Sequence, residues 1–167
     1  MPSDLVTALQ ESAARHLPGS LAWLRRMVDC NSFTSNALGV DAVGRLTAEC
    51  FAPLGFDADY VPSRVEGQGH HLFLRRPGAS ARCQEPPILL VTHLDTVFPP
   101  EEEARHAFHW RESPEDRCIY GPGTVDIKGG TMVMWLMLQI LRDAAPDFFA
   151  RADFLIAANA AEEVIGS

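Results

Sequence analysis

An α/β fold, a layered sheet with flanking helices, is the class the sequence predicts, and three observations carry it. Residues 87–92 form a short continuous apolar run, as expected for a strand buried on both faces, and 152–158 read as another buried strand. Between them, nearly every side chain from 130 to 141 is apolar, which reads as a helix enclosed on all sides. Two further extended segments, 56–61 and 71–74, flank a Gly-containing turn. Strands separated by helices favour a largely parallel or mixed sheet.

Leu5, Leu9, Ala13 and Leu17 recur at helical spacing, and Pro18-Gly19-Ser20 is expected to break that first helix, with Ser20 capping a second over 20–29. Asn36 or Asp41 opens a third helix through Val43, Leu46, Cys50 and Phe51, which residues 53–55 end. A hairpin of 107–111 and 117–120 turns at Ser113-Pro114-Glu115-Asp116. No internal repeat or low-complexity tract interrupts this pattern.

Composition bounds the function. Of the 167 residues, 47% are hydrophobic and 22% charged, which suits one domain with its own core, residues 1–167. The net charge of −8 argues against nucleic acid or an anionic membrane surface as partner, since both need clustered Lys and Arg. The longest apolar run, 132–138, is far shorter than the roughly 20 residues of a membrane span, and the N-terminus has no apolar leader. Cys30, Cys50, Cys83 and Cys118 form no C-x-x-C pair and read as free thiols. A cytoplasmic location is the expectation.

Metal-ligand side chains stand where the buried runs end. His93 and Asp95 follow the 87–92 strand and Glu162 and Glu163 follow the 152–158 strand, and in α/β sheets ligands collect at the carboxyl ends of strands. In extended backbone His93 and Asp95 point to one side. Asp95 is then placed to accept the imidazole N–H that does not face a metal, making His93 the ligand and Asp95 its orienting partner. A chance His-x-Asp arises about 0.4 times in such a chain, so that pair does not decide alone. Asp126 lies in a Gly-rich loop just before the 130–141 helix, where a carboxylate is either a ligand or a plain cap. Lys128 reads as a solvated or local charge partner. Adjacent Glu162 and Glu163 point in divergent directions, so that one binds metal while the other faces a bound water.

The remaining notable residues read as ordinary structure. His70, His71, His106 and His109 are structural or solvated, and His16 is a surface helix residue. Glu101-Glu102-Glu103 is an acidic loop or helix start. Met132, Met134 and Met137 around Trp135 are core.

Jointly, His93-Leu94-Asp95-Thr96-Val97, Gly121-Pro122-Gly123-Thr124-Val125-Asp126-Ile127-Lys128-Gly129-Gly130 and Glu162-Glu163-Val164-Ile165-Gly166-Ser167 resemble three successive N-terminal signatures of the di-zinc metallopeptidase family. That family contains glutamate carboxypeptidase, acetylornithine deacetylase, succinyl-diaminopimelate desuccinylase and aminoacylase. The resemblance runs from about Leu21 to the last residue, and the Gly121-Pro122-Gly123 run looks most like the glutamate carboxypeptidase branch. It implies a zinc-dependent hydrolase, a carboxypeptidase or N-acyl amino acid amidohydrolase, acting on small carboxylate-bearing amides. It further implies that His93 binds one zinc, Asp126 bridges two, Glu163 binds the other, Glu162 is the general base and Asp126-Ile127 is a cis peptide. Cobalt and manganese also suit such donors.

Family members also carry a later acidic ligand, a final His, and a lid domain through which they form homodimers. None of these lies within the 167 residues, so the expectation is the N-terminal part of a catalytic domain, lid absent, with two protein ligands per ion and doubtful activity alone. The alternative reading is a non-catalytic binding or interaction module with a degenerate metal site.

Overall fold

The N-terminal helical periodicity runs straight through Pro18. In the computed structural model, which describes residues 2–79 and 86–164, α1 spans Pro2–Val28 as one helix. The predicted break is therefore corrected. A proline inside a helix costs about 3 kcal/mol. Against that, Leu24, Met27 and Val28 beyond it are buried, each contributing roughly 1.5–3 kcal/mol, so packing outweighs the lost backbone bond. Ser20, expected as a cap, is instead a buried residue of this helix.

Asn36 opens α2 (Ala37–Phe51), its side chain accepting from the Gly39 N–H at 3.2 Å. The turn Ala52–Leu54 then stops it, with Gly55 at φ 87° as the left-handed cap. β1 (Asp57–Pro62) and β2 (His70–Arg76) form the expected antiparallel hairpin, Asp59 opposite Phe73. β3 (Ile88–His93) comes next, then α3 (Pro100–His106), which starts at the acidic run 101–103. The second hairpin is shorter than expected, β4 (Arg111–Ser113) with β5 (Cys118–Tyr120), because Ala107 at φ 47° closes α3 where a strand was predicted. α4 (Lys128–Ala144) leads to α5 (Pro146–Arg151), a helix absent from the sequence-based expectation, and to β6 (Phe154–Asn159).

The main sheet has the order β1-β2-β6-β3. β6 pairs antiparallel with β2 and parallel with β3, so the sheet is mixed, as the sequence predicts. Its buried face is built by alternation: Leu72 and Leu74 on β2, Phe154, Ile156 and Ala158 on β6, Thr92 on β3. α2 packs on β2, α4 on β3, and α1 lies along α4.

Two expectations about burial are corrected. β3 is an edge strand among the described residues, and Leu89 and Val91 on its outer face are 56% and 61% exposed. α4 is two-faced rather than enclosed: Met132, Trp135 and Leu138 are buried while Val133 and Met137 face solvent. Helical spacing puts those two groups on opposite sides of one helix. Met137 is accordingly not core.

The α1–α4 contact is polar at one end and aromatic at the other. Asp143 accepts from the Ser12 hydroxyl and the Arg15 guanidinium and meets His16 Nε2, each at 2.9 Å. His16 also sets its ring edge-on to Trp135, so it is an interhelix residue rather than a plain surface one. Trp135 Nε1 donates to the Cys50 carbonyl at 2.9 Å. Cys30, Cys50 and Cys118 are free thiols; Cys83 lies outside the described residues. No helix among the described residues is long and apolar enough to cross a membrane.

The hydrogen bond to His16, with help from Ser12 and Arg15, holds the Asp143 carboxyl below its ordinary pKa of 3.8. A depressed carboxyl stabilises the fold above the unfolded value and loses that contribution as pH falls through the folded one. Asp143→Asn is therefore expected to lower stability by about 1 kcal/mol at neutral pH, with the gap to wild type closing in the acid range. Urea midpoints measured at neutral pH and near pH 4 check both the size and the sign.

Candidate metal centre

β3 and β6 run parallel and end side by side, His93 opposite Asn159. That register delivers the residues after each strand to one edge of the sheet. Beyond β3 the chain turns through Leu94 and Asp95, and Thr96 pairs with the 32–34 segment. Beyond β6 the Ala160 N–H donates to His71 Nδ1 at 3.2 Å, which fixes the path toward Glu162.

Asp95 joins the two chain ends. Its carboxylate is 1% exposed and accepts from the Thr34 hydroxyl at 2.7 Å, the Glu162 N–H at 3.0 Å and the Glu163 N–H at 3.1 Å. His93 Nδ1 lies 3.3 Å from its Oδ1 and 3.1 Å from its backbone carbonyl. Burial opposes the charge, but these bonds outweigh it, and Asp95 stays below the ordinary carboxylate range. Asp95 thus orients His93, as the spacing suggested. It also anchors the backbone that carries both glutamates, which no sequence signal indicated.

The loop 121–127 brings in the third element. Gly123 sits at φ 76° against Thr96 and Lys128, where a Cβ would meet the Thr96 methyl at 3.1 Å. A Cβ on Gly129 would stand 2.1 Å from the Thr124 carbonyl oxygen, so only glycine lets α4 start this close to the loop. The Asp126-Ile127 peptide is cis, as the resemblance implied. Lys128 departs from expectation: it is 2% exposed, and its ammonium donates to the Cys30 carbonyl at 3.0 Å. Burial brings its pKa down to about 8. It is an internal strut under the loop rather than a solvated charge.

These constraints bring His93, Asp126 and Glu163 together, with one donor atom from each within 4.8 Å of the others. His93 Nε2 donates to Asp126 Oδ1 at 3.0 Å, and Glu162 Oε2 stands at the rim 3.9 Å away. His93 is buried, Asp126 exposed and Glu163 between. Burial disfavours the imidazolium, yet the bonds to Asp95 and Asp126 together push its pKa up to about 9. Burial first, then the nearby Asp126 charge, raises the Glu163 carboxyl. Two carboxylates and one imidazole with converging donor atoms, a third carboxylate at the rim, and among the described residues no lysine or arginine acting on Glu163, form a donor set that fits a divalent cation.

Two other histidines pair with carboxylates elsewhere. His70 Nδ1 pairs with Asp41 at 3.0 Å and His106 with Glu102 at 3.2 Å. Among the described residues, no second group of three or more donors has metal-binding spacing.

Removing the Asp95 carboxylate leaves two backbone N–H groups and Thr34 without acceptors, so Asp95→Ala is expected to cost about 3 kcal/mol and to weaken zinc binding by roughly 10–100-fold. Denaturation and zinc titration measure these. Because the metal needs a neutral imidazole and the free ring titrates near 9, zinc binding at neutral pH should release about one proton and tighten about tenfold per pH unit up to that value. Calorimetry in buffers of different ionisation enthalpy counts that proton.

The chain is similar to known proteins. Residues 89–167 match the family model described as peptidase family M20/M25/M40. The chain is 27% identical over 135 residues to carboxypeptidase G2 of a Pseudomonas species, covering 81% of this chain and 31% of that protein. It is 28% identical over 136 residues to succinyl-diaminopimelate desuccinylase of Hydrogenovibrio crunogenus, covering 81% and 33%. Among solved structures, the Saccharomyces cerevisiae dipeptidase Dug1p superposes with a TM-score of 0.70 at 12% identity, over 96% of this chain and 35% of that one. Human carnosine dipeptidase 1 gives 0.65 at 16% identity, over 96% and 35%. At those identities the structural likeness speaks for the fold alone. The chain spans about a third of the length of the relatives it matches. The chain is thus similar to peptidase family M20/M25/M40, through residues 89–167.

Proposed function

We propose that residues 1–167 are part of a metallopeptidase catalytic domain and carry half of a di-zinc site for cleaving amide bonds of N-acyl amino acids or small peptides. The observation that carries this reading is the convergence of His93, Asp126 and Glu163 beside Glu162 at the carboxyl edge of the sheet. His93 and Asp126 would hold one zinc, Asp126 and Glu163 the other. Bound zinc supplies an acidified water and polarises the scissile carbonyl.

The chain's own residues do the rest. Asp95 fixes the His93 tautomer by accepting a hydrogen bond from Nδ1–H, which leaves the Nε2 lone pair for a metal. Glu162 is oriented through its backbone bond to Asp95, and its carboxylate remains 57% exposed at the rim. From there it takes the proton of the attacking water as the carbon–oxygen bond forms. It then delivers that proton to the amide nitrogen as the carbon–nitrogen bond breaks. Such a base need not bind metal, which fits its position outside the group of three.

With the residues of this chain, two protein ligands reach each ion where catalytic zinc ordinarily has three. Weak zinc binding and slow turnover by the 167-residue chain are the expected behaviour. Asp126→Asn should abolish zinc binding, whereas Glu162→Gln should leave it unchanged and lower any hydrolysis of N-acyl amino acids about 10²–10⁴-fold. Zinc calorimetry and amine release measure the two. Undiminished zinc binding by Asp126→Asn would sink the assignment.

A further inference from the structure

A cavity of roughly 500 Å³ opens directly from the metal group, with Asp126 and Glu163 on one wall. Val97, Phe98, Phe108 and Tyr120 also line it. Phe98 and Phe108 meet edge to face with ring centres 5.0 Å apart, so this part of the wall is a packed aromatic surface. A second hollow of about 400 Å³ adjoins it across the same Val97, Phe98 and Phe108. Among the described residues no lysine or arginine lines either space, and the second is rimmed by Glu102, Glu103 and His106, whose ring pairs with Glu102. Arg111 stacks on the Tyr120 ring, 4.3 Å from its centre, and does not itself line the cavity.

We infer that this cavity is an acyl subsite for an aromatic or branched apolar group, and that it excludes acyl groups ending in a carboxylate. The inference rests on the proposed reading of His93, Asp126 and Glu163, because that reading places the scissile carbonyl beside Asp126 and Glu163. Glu162, which hands the proton to the departing nitrogen, does not line the cavity. The amine half of the substrate therefore leaves on the Glu162 side, and the acyl half is the part that reaches the aromatic wall. A succinyl or glutaryl carboxylate set against Val97, Phe98 and Phe108 loses its water there with no lysine or arginine on that wall to pair it. A phenyl or isobutyl group buries apolar surface against Val97 and Phe108 instead.

The test is binding of matched N-acylglycines to the 167-residue chain with zinc, monitored by NMR. N-phenylacetylglycine should bind at least about tenfold tighter than N-succinylglycine, with shifts at the Val97 methyls and the Phe98 and Phe108 rings. Val97 is 49% exposed, so Val97→Arg should fold, as circular dichroism would verify. It supplies the missing cation and should bring the two affinities together or reverse them. Equal or inverted preference in the wild-type chain, or no binding of either compound while zinc still binds, overturns the subsite and leaves the metal reading intact. A phenylacetyl preference that survives in a chain that does not bind zinc supports the subsite and overturns the proposed function.

Discussion

The buried carboxylate of Asp95 is the constraint on which the rest of the site depends. Strands β3 and β6 bring two chain ends to one sheet edge, but hydrogen bonding within the sheet stops at His93 and Asn159. Past those two residues the backbone is irregular, and its N–H groups need acceptors. Asp95 accepts from two of them, at Glu162 and Glu163, while holding His93 and Thr34. One side chain therefore sets the tautomer of a proposed ligand and the position of the segment that carries another proposed ligand and the proposed base. A charge this buried is tolerated because every bond to it comes from a donor. Its desolvation is outweighed by four partners from three separate stretches of chain.

Much of the fold was legible because it rests on local signals. The Asn36 cap, the Gly55 stop, the hairpin of β1 and β2 and the apolar β6 run each announce themselves within a few residues. The departures share a cause, which is packing between segments distant in sequence. Pro18 is carried inside α1 because the helix on both sides of it lies along α4. The exposure of Leu89 and Val91, and of Val133 and Met137, reflects how many neighbours β3 and α4 have, and an apolar run of a given length does not encode that number. α5 is different: Pro146 at its first turn and Asp147 after it are a readable start signal.

The site divides the same way. His93 and Asp95 were connected by a two-residue spacing, and the strand-end positions of His93 and Glu163 emerge from sheet topology once β3 and β6 are recognised as strands. Asp126 entered through family resemblance rather than through periodicity, since a carboxylate before a helix is more often a cap. Thr34 and His71, which support the cluster from 61 and 89 residues away from their partners, carried no signal, because a lone polar residue acquires such a role only when the fold closes. The aromatic wall is similar. Val97, Phe98, Phe108 and Tyr120 come from a loop, a helix exit and a hairpin, and nothing in their sequence positions groups them.

Lys128 shows how the same loop supplies acid without neutralising it. It lies two residues from Asp126, and a lysine facing the cluster would pair with the carboxylates and compete with any metal for them. Instead its ammonium is bonded to the Cys30 carbonyl beneath the loop, and the charges that act on Glu163 are Asp126, His93, Asp95 and Glu162. Burying an ammonium is unfavourable, and burial lowers its pKa accordingly, so the arrangement costs stability at neutral pH. In return the start of α4 is tied to the end of α1, with Gly123 and Gly129 clearing the space for that approach. The positive charge is spatially separated from the carboxylates while sharing their loop. An unneutralised acidic cluster held by a rigid base is the electrostatic condition a divalent cation requires.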